Sequence, residues 1–122
     1  MAATYAQRKA LGDYGERLAV RELERAGLEV VDRNWRCSQG ELDIVARLGQ
    51  VLVVCEVKTR TSDRYGSAME AITAVKVDRL YRLGFRWCAA HDSAASPLRV
   101  DVVTVLIAPG RRALVTHYAG VA

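Results

Sequence analysis

The sequence predicts an α/β domain in which helices flank a mixed five-stranded sheet. Three observations indicate this class. Helical periodicity opens the chain, two apolar segments joined by a two-residue turn follow, and a second helical segment precedes two further apolar segments. The predicted order of elements is α-β-β-β-α-β-β. The 122 residues fit one domain, 1–122, with its core over about residues 7 to 118.

The first helix is predicted over residues 7–26. Its apolar and small residues recur at three- and four-residue spacing, at Leu11, Gly15, Leu18, Ala19, Leu23 and Ala26. Gly27 follows, and glycine is typical of a helix end. Residues 28–31 are predicted as a short strand, and residues 34–40 as a polar loop that carries Trp35.

Residues 41–48 and 51–60 are predicted as the two strands of a hairpin, because both are largely apolar and Gly49-Gln50 lies between them. Residues 61–67 are polar and are predicted as a loop. The later elements are a second amphipathic helix at about 69–90, a loop at 91–97, an apolar strand at 99–108 and a last, edge strand at 112–118.

The composition limits the protein classes that need to be considered. The chain has 18 Lys and Arg residues against 14 Asp and Glu, and its net charge of +4 is compatible with a polyanionic partner. No segment approaches the length of a membrane span, and the start has no apolar signal region, so a cytoplasmic location away from membranes is expected. Cys37, Cys55 and Cys88 form no CxxC motif, which argues against a disulfide framework and a zinc site, and Cys55 is expected in the core.

Charged residues interrupt the apolar strands of the predicted hairpin. Asp43 lies in the first strand, and Glu56 and Lys58 lie in the second. Because burying an unpaired charge is costly, these side chains need a partner, an ion or a substrate. Side chains alternate along a strand, so Glu41 and Asp43 are expected to share a face, and so are Glu56 and Lys58. The hairpin then lets Asp43 approach Glu56.

Two neighbouring carboxylates repel each other unless a cation neutralises them. A hard divalent ion such as Mg²⁺ takes oxygen ligands and keeps several waters, so Asp43, Glu56 and the main-chain carbonyl of Val57 are candidate ligands. Lys58 would then lie beside the ion, where it could orient or deprotonate a water or stabilise charge on a phosphate. The structural alternative is an ordinary cross-strand ion pair between Asp43 and Lys58.

An Asp on one strand and Glu-x-Lys on the next resemble the PD-(D/E)XK nuclease superfamily. More closely, the chain resembles the bacterial YraN family, also called UPF0102, over roughly residues 7 to 118. The segments that carry this resemblance are GDYGE at 12–16, GELDIVA at 40–46, VCEVKTR at 54–60, AITAVK at 71–76 and RVDVV at 99–103. The sequence departs from the superfamily's name at one position, since Leu42 precedes Asp43 where a proline would stand.

The resemblance implies a restriction endonuclease-like αβββαβ core, similar in fold to archaeal Holliday junction resolvases. It implies that Asp43 and Glu56 bind Mg²⁺ or Mn²⁺, that Lys58 is catalytic, and that Glu16 completes the metal site from the first helix. The implied activity is metal-dependent endonucleolytic hydrolysis of DNA phosphodiester bonds, at branched or otherwise structured DNA. Because resolvase-like relatives act as dimers, a homodimer is expected by analogy.

Basic residues give a second indication of a nucleic-acid partner. The second predicted helix carries a basic stripe beside its apolar face, formed by Lys76, Arg79, Arg82 and Arg86. Arg60 and Arg64 flank the strand end near Lys58. The candidate phosphate-binding residues are Arg60, Arg64, Lys76 and Arg79. Such residues would neutralise backbone phosphates and give binding that is independent of sequence and sensitive to salt.

Each of these assignments has an alternative. Glu16 could pair with Arg17 or Arg21, and the basic stripe could be a solvated helix face. Asp101 opens a buried strand and is expected to satisfy a nearby arginine or backbone amide rather than to bind a metal. The alternative function is a nucleic-acid-binding module that keeps the nuclease fold without useful catalysis. A third is a protein-interaction adaptor whose site residues pair only with one another.

Overall fold

The chain forms two helices and five strands in the computed structural model, which describes residues 3–62, 72–93 and 97–121. In chain order they are α1 (Tyr5–Arg25), β1 (Glu29–Cys37), β2 (Gly40–Leu48), β3 (Val51–Arg60), α2 (Ala74–Ala90), β4 (Leu98–Leu106) and β5 (Leu114–Tyr118). The strands form one sheet in the order β1-β2-β3-β4-β5. The predicted α/β class and order of elements are therefore confirmed. No helix in these ranges is long and apolar enough to cross a bilayer.

The sheet is mixed because β3 and β4 run parallel, whereas the other three neighbouring pairs are antiparallel. Parallel neighbours need a crossover connection, and α2 lies in the connection between β3 and β4. The two helices pack on opposite faces of the sheet. The central strands are thus covered on both faces, which explains their near-continuous apolar sequences.

Two apolar clusters hold the helices to the sheet. The buried residues on the α1 face are Ala19, Leu23, Leu28, Ile44, Ala46, Val53, Cys55, Val103 and Val105. Those on the α2 face are Leu42, Val45, Leu52, Val54, Leu80, Leu83, Trp87, Cys88 and Val100. Cys55 therefore lies in the core, as expected, and burial raises the pKa of its thiol.

Both helices begin at a threonine cap. The Thr4 hydroxyl accepts a hydrogen bond from the Gln7 N–H at 3.1 Å, and the Gln7 side chain accepts one from the Thr4 N–H at 2.8 Å. This capping box places the start of α1 two residues before the predicted one. The Thr73 hydroxyl caps α2 by accepting from the Lys76 N–H at 3.2 Å. The predicted start of this helix at residue 69 lies outside the described residues.

The prediction of a short strand at 28–31 and a loop at 34–40 is wrong, because β1 continues to Cys37 and pairs with β2 as far as Gly40. This strand is irregular: its register shifts between Val30 and Asp32, and Asn34 has a positive φ of 55°. β1 is an edge strand, and many of its side chains are exposed and polar. The apolar signal that marks the central strands is therefore missing.

The two C-terminal strands follow the prediction closely. β4 spans Leu98–Leu106, against a predicted 99–108, and β5 spans Leu114–Tyr118, against 112–118. β5 is the second edge of the sheet, as predicted.

Candidate functional site

The candidate site lies where β2 and β3 separate. Their ladder runs from the pair Leu48–Val51 to the pair Ile44–Cys55. Beyond that point β2 continues alongside β1, whereas β3 continues alongside β4 to the pair Arg60–Leu106. Asp43 and Glu56 are the first residues past the last rung of this ladder. Backbone groups that would pair with each other in a continuous ladder therefore face the gap between β2 and β3.

Strand alternation is interrupted at Asp43. Leu42 packs in the α2-face cluster and Ile44 in the α1-face cluster, although residues two apart in a regular strand share a face. Asp43 lines a cavity on the α1 side, whereas Glu41 lines one on the α2 side. The predicted common face of Glu41 and Asp43 is therefore wrong. Asn34, with its positive φ, lies in β1 between the residues that pair with Leu42 and Ile44.

Asp43 is anchored to β3 through the backbone. Its Oδ2 accepts a hydrogen bond from the Val57 N–H at 2.9 Å. The N–H and C=O of one strand residue point to the same side, so the Val57 carbonyl faces the same gap. The pKa of the Asp43 carboxyl is raised to about 7, mainly by burial and in addition by the charges of Glu56, Glu16 and Glu41, while the Val57 hydrogen bond acts in the opposite direction.

Lys58 connects two cavities on either side of the gap. One, of about 370 Å³, is also lined by Asp43 and Glu16, and the other, of about 230 Å³, by Glu56. The Lys58 Nζ lies 3.8 Å from the Glu56 Oε2. The ion pair that the structure describes for Lys58 is therefore with Glu56 on its own strand, and not the cross-strand pair with Asp43 considered from the sequence.

The predicted basic residues divide into three groups. Lys76 and Arg79 line the 230 Å³ cavity together with Lys58 and Glu56. The nearby Lys58 ammonium lowers the pKa of Lys76, so two positive charges approach each other at the site. Arg60 ends β3, and its carbonyl accepts a hydrogen bond from the Ile107 N–H at 2.8 Å. Arg64 lies outside the described residues.

Glu16 reaches the site from α1, and two residues of β1 fix it there. Only 8% of Glu16 is exposed. Its Oε2 accepts hydrogen bonds from the Arg33 Nη2 at 2.9 Å and from the Asn34 Nδ2 at 3.1 Å. The partner is Arg33, and not Arg17 or Arg21, which the sequence had suggested as alternatives. The one sequence signal for this pairing is the polar Asp32-Arg33-Asn34 segment, which resembles a loop.

Comparison with known proteins identifies the family. The model of the uncharacterised protein family UPF0102 matches residues 15–105. The chain belongs to this family. UPF0102 proteins of Kineococcus radiotolerans and Beutenbergia cavernae are each 55% identical to it, over 92% of the chain and 93% and 95% of their own lengths. A UPF0102 protein of a Nocardioides species is 47% identical over 98% of the chain and 96% of its own length.

The UPF0102 match includes Glu16, Asp43, Glu56 and Lys58, and their donor chemistry fits a hard divalent cation. Asp43 and Glu56 offer carboxylate oxygens, and the Val57 carbonyl faces the same gap. In the described ranges, no group of three or more His, Cys, Asp or Glu side chains is arranged to hold a metal. The available set is thus two carboxylates and a carbonyl, with Glu16 beside them. Mg²⁺ is commonly held by one or two carboxylates together with waters and substrate phosphates.

Asp101, on the neighbouring strand of this UPF0102 domain, is buried and satisfied. Its carboxylate accepts from the Arg99 Nε and Nη2, both at 2.8 Å, and from the Gly120 N–H at 2.9 Å. The His117 Nε2 lies 2.7 Å from its Oδ2. The prediction that Asp101 satisfies an arginine or a backbone amide is therefore confirmed.

Gly15 brings α1 close enough to β3 for Glu16 to reach the site. A Cβ atom at Gly15 would lie 2.1 Å from the Thr59 Oγ1 and 3.0 Å from the Thr59 Cβ, so the helix or the strand would have to move. We expect Gly15→Ala to lower the free energy of unfolding by about 2 kcal/mol. Gly12→Ala is the control, because a Cβ at Gly12 meets no atom within 4 Å. It should raise the free energy of unfolding by about 0.5 kcal/mol through helix propensity.

Urea unfolding of the two variants measures this difference. Equal effects of the two substitutions would contradict the close contact between α1 and β3.

Proposed function

We propose that this chain is a metal-dependent endonuclease-like enzyme that hydrolyses phosphodiester bonds in DNA with Mg²⁺ or Mn²⁺. One observation carries the proposal: the half-buried Asp43 carboxyl lies close enough to Glu56 and Glu16 for their charges to act on it, and its pKa is raised to about 7 by burial and by these charges. Desolvated carboxylates that repel each other are costly unless a cation shares them. Lys58 lies beside them, which supports chemistry on a phosphate rather than simple metal storage.

The site residues would have separate roles at the gap between β2 and β3. Asp43, Glu56 and the Val57 carbonyl would hold the cation, with Glu16 at the α1 side. When bound, such a cation neutralises charge on the phosphate and makes a water more acidic. The Val57 N–H keeps Asp43 oriented, because it donates a hydrogen bond to the Oδ2 atom.

Two lysines supply the positive charge that a phosphate needs. Lys58 and Lys76 approach each other closely enough for the first to lower the pKa of the second. A pair of ammonium groups is repulsive by itself, and an anion between them removes the repulsion. Lys58 would therefore donate hydrogen bonds to the phosphate at the scissile bond and stabilise its developing charge. Lys76 would hold the same or the adjacent phosphate.

DNA is the expected polymer, for two reasons. The family's resemblance to the PD-(D/E)XK superfamily favours DNA, and archaeal Holliday junction resolvases, which are similar in fold, favour branched or otherwise structured DNA. In addition, Lys76 and Arg79 line the 230 Å³ cavity of the site, and Arg60 ends β3 two residues after Lys58, so all three would contact backbone phosphates without reading the sequence. A homodimer, as in resolvase-like proteins, would present two such sites to a two-fold substrate.

Hydrolysis of a panel of DNA structures tests this function. Junction, flap, duplex and single-stranded substrates should be cleaved with Mg²⁺ or Mn²⁺ and left intact with EDTA. Glu56→Gln should lower the rate by about a hundredfold or more, because it removes a charged ligand worth several kcal/mol of transition-state stabilisation. It should also weaken Mn²⁺ binding in calorimetry, a readout that is independent of activity. Wild-type cleavage and metal binding in this variant would place the chemistry elsewhere.

The second candidate function is a nucleic-acid-binding module without useful catalysis. The pairing of Lys58 with Glu56 at 3.8 Å favours it, because two site residues then satisfy each other. Salt-sensitive DNA binding without metal-dependent cleavage on any substrate would select this function over the first.

A further inference from the structure

Three arginines of α2 line a cavity next to the candidate site. Arg79, Arg82 and Arg86 surround a space of about 220 Å³ that is closed by Leu83 and by Gln39 from the β1–β2 turn. Among the residues described for this cavity, none is acidic. Its lining is therefore strongly cationic, with one amide side chain as the other polar group.

This concentration of positive charge is unfavourable for the helix itself. Arg79 and Arg82 are three residues apart and Arg82 and Arg86 four apart, so their charges are neighbours on the helix surface and repel. Asp78, four residues before Arg82, offsets part of this charge, but it is not among the residues that line the cavity. An arrangement of this kind is stabilised when an anion binds, and guanidinium groups match the oxygens of a phosphate through paired hydrogen bonds.

The arginine cavity adjoins the site. It shares Arg79 and Leu83 with the 230 Å³ cavity that also contains Glu56, Lys58 and Lys76. From Lys76 to Arg86 the helix advances ten residues, or about 15 Å at 1.5 Å per residue. Along the axis of a duplex, the phosphates of one strand follow each other at about 3.4 Å, so a helix aligned with that axis would span about four nucleotides.

We propose that Arg82 and Arg86, together with Arg79 and Gln39, form a second phosphate-binding subsite, which holds the nucleic-acid backbone up to about four nucleotides beyond the phosphate at Lys76. The subsite rests on the proposed function, since it takes the strand that passes through the Lys58 site. The nucleic-acid strand would then run along α2. A substrate must therefore extend up to about four nucleotides beyond the phosphate at Lys76 to bind fully.

Salt titration of DNA binding in EDTA tests the subsite separately from hydrolysis. The variant is Arg82→Ala/Arg86→Ala, measured by fluorescence anisotropy with a labelled duplex. Loss of two phosphate contacts should make the slope of log K against log salt shallower by about 1.8. The matched control is Arg21→Ala/Arg25→Ala. This pair also lies four residues apart on an exposed helix surface, but on α1, across the sheet from α2.

A second measurement uses strands shortened stepwise on either side of the scissile position. Wild-type affinity should fall once a strand is too short to reach Arg82 and Arg86, and the double variant should not respond to that shortening.

The outcomes separate the subsite from the hydrolysis. A salt slope of the Arg82→Ala/Arg86→Ala variant equal to that of the control overturns the subsite, even if the wild type cleaves DNA. A shallower slope in a protein that cleaves nothing supports the subsite and overturns hydrolysis. No DNA binding by the wild type at low salt overturns both.

Discussion

Asp43→Asn is expected to reduce DNA hydrolysis by about a hundredfold or more while the fold persists. Asparagine removes the negative charge that would hold the cation. Its amide oxygen can still accept the hydrogen bond that the Val57 N–H now donates to Oδ2 at 2.9 Å. The substitution therefore separates the charge of Asp43 from its structural role.

The same substitution should change how stability depends on pH in metal-free protein. The pKa of the Asp43 carboxyl is raised to about 7 in the folded state, mainly by burial, against about 4 in an unfolded chain. Between these values the folded protein binds more protons than the unfolded one, so the free energy of unfolding falls as pH rises from about 4 to about 7. Asp43→Asn removes this contribution, and the variant should gain stability relative to wild type over that interval.

Thermal unfolding from pH 4 to 8 in EDTA, together with cleavage rates in Mn²⁺, measures both effects. Glu24→Gln is the control, because it removes one exposed carboxylate near the C-terminal end of α1 and should change neither. Adding Mg²⁺ or Mn²⁺ at neutral pH should raise the melting temperature of the wild type, but not that of Asp43→Asn. Parallel pH profiles for the wild type and the variant would contradict the raised pKa of Asp43.

The centre of the fold and site could be predicted because local sequence patterns determine it. Long apolar segments joined by Gly49-Gln50 specify the central hairpin, and charged residues inside such segments are conspicuous. Asp43, Glu56 and Lys58 do meet at one end of the sheet, where β2 and β3 separate. The family resemblance predicts that Glu16 belongs to the site, and Glu16 lines the same cavity as Asp43.

The remainder of the site depends on contacts between residues far apart in the chain. Arg33 and Asn34 fix Glu16, but their segment is polar and exposed, so its strand has no apolar periodicity. The interruption of alternation at Asp43 is invisible for a related reason, since it arises where β2 loses its pairing with β3 and keeps only its pairing with β1. A two-residue period assumes a regular strand and cannot locate such a departure.

On the α2 face, too, polar side chains make contacts that the local sequence does not indicate. The Trp87 Nε1 donates a hydrogen bond to the Asp32 Oδ2 at 2.7 Å, and the His91 ring stacks on Trp87 with centroids 4.2 Å apart. The local sequence does not indicate these contacts, because they join α2 to another element or depend on where α2 ends. A polar side chain that is satisfied only in the tertiary structure carries no local signal.

Asp101→Asn is expected to lower the free energy of unfolding at pH 7 by about 3 kcal/mol, because it breaks a buried, multiply bonded ion pair. Asp101 is fully buried and holds Arg99, His117 and the Gly120 N–H on its two oxygens. An asparagine would replace one of these acceptors with a donor that faces the guanidinium or the imidazole. β5 and the C-terminal segment would then be held less firmly against β4, the strand beside Glu56 and Lys58.

The effect of Asp101→Asn on stability should depend on pH. Burial by itself would raise the pKa of Asp101, but hydrogen bonds from Arg99, Gly120 and His117 outweigh it, and the pKa is lowered. A lowered folded pKa contributes stability that is present above the unfolded value of about 4 and is lost as pH falls below it. The difference in the free energy of unfolding between wild type and Asp101→Asn should therefore be largest at pH 5 to 7 and become smaller in stronger acid.

Urea unfolding over that range tests the prediction, with Asp92→Asn as an isosteric control at an exposed position. If Asp101→Asn lowers the free energy of unfolding by less than about 1 kcal/mol, or if the difference from wild type persists at low pH, the network stabilises through packing rather than through the Asp101 charge. The buried Asp101 carboxyl and the half-buried Asp43 carboxyl then differ in a way that separates structure from function. Asp101 has donors on both oxygens and a lowered pKa, whereas Asp43 faces other carboxylates and has a raised one. The first arrangement is complete within the protein, and the second is relieved by binding a cation.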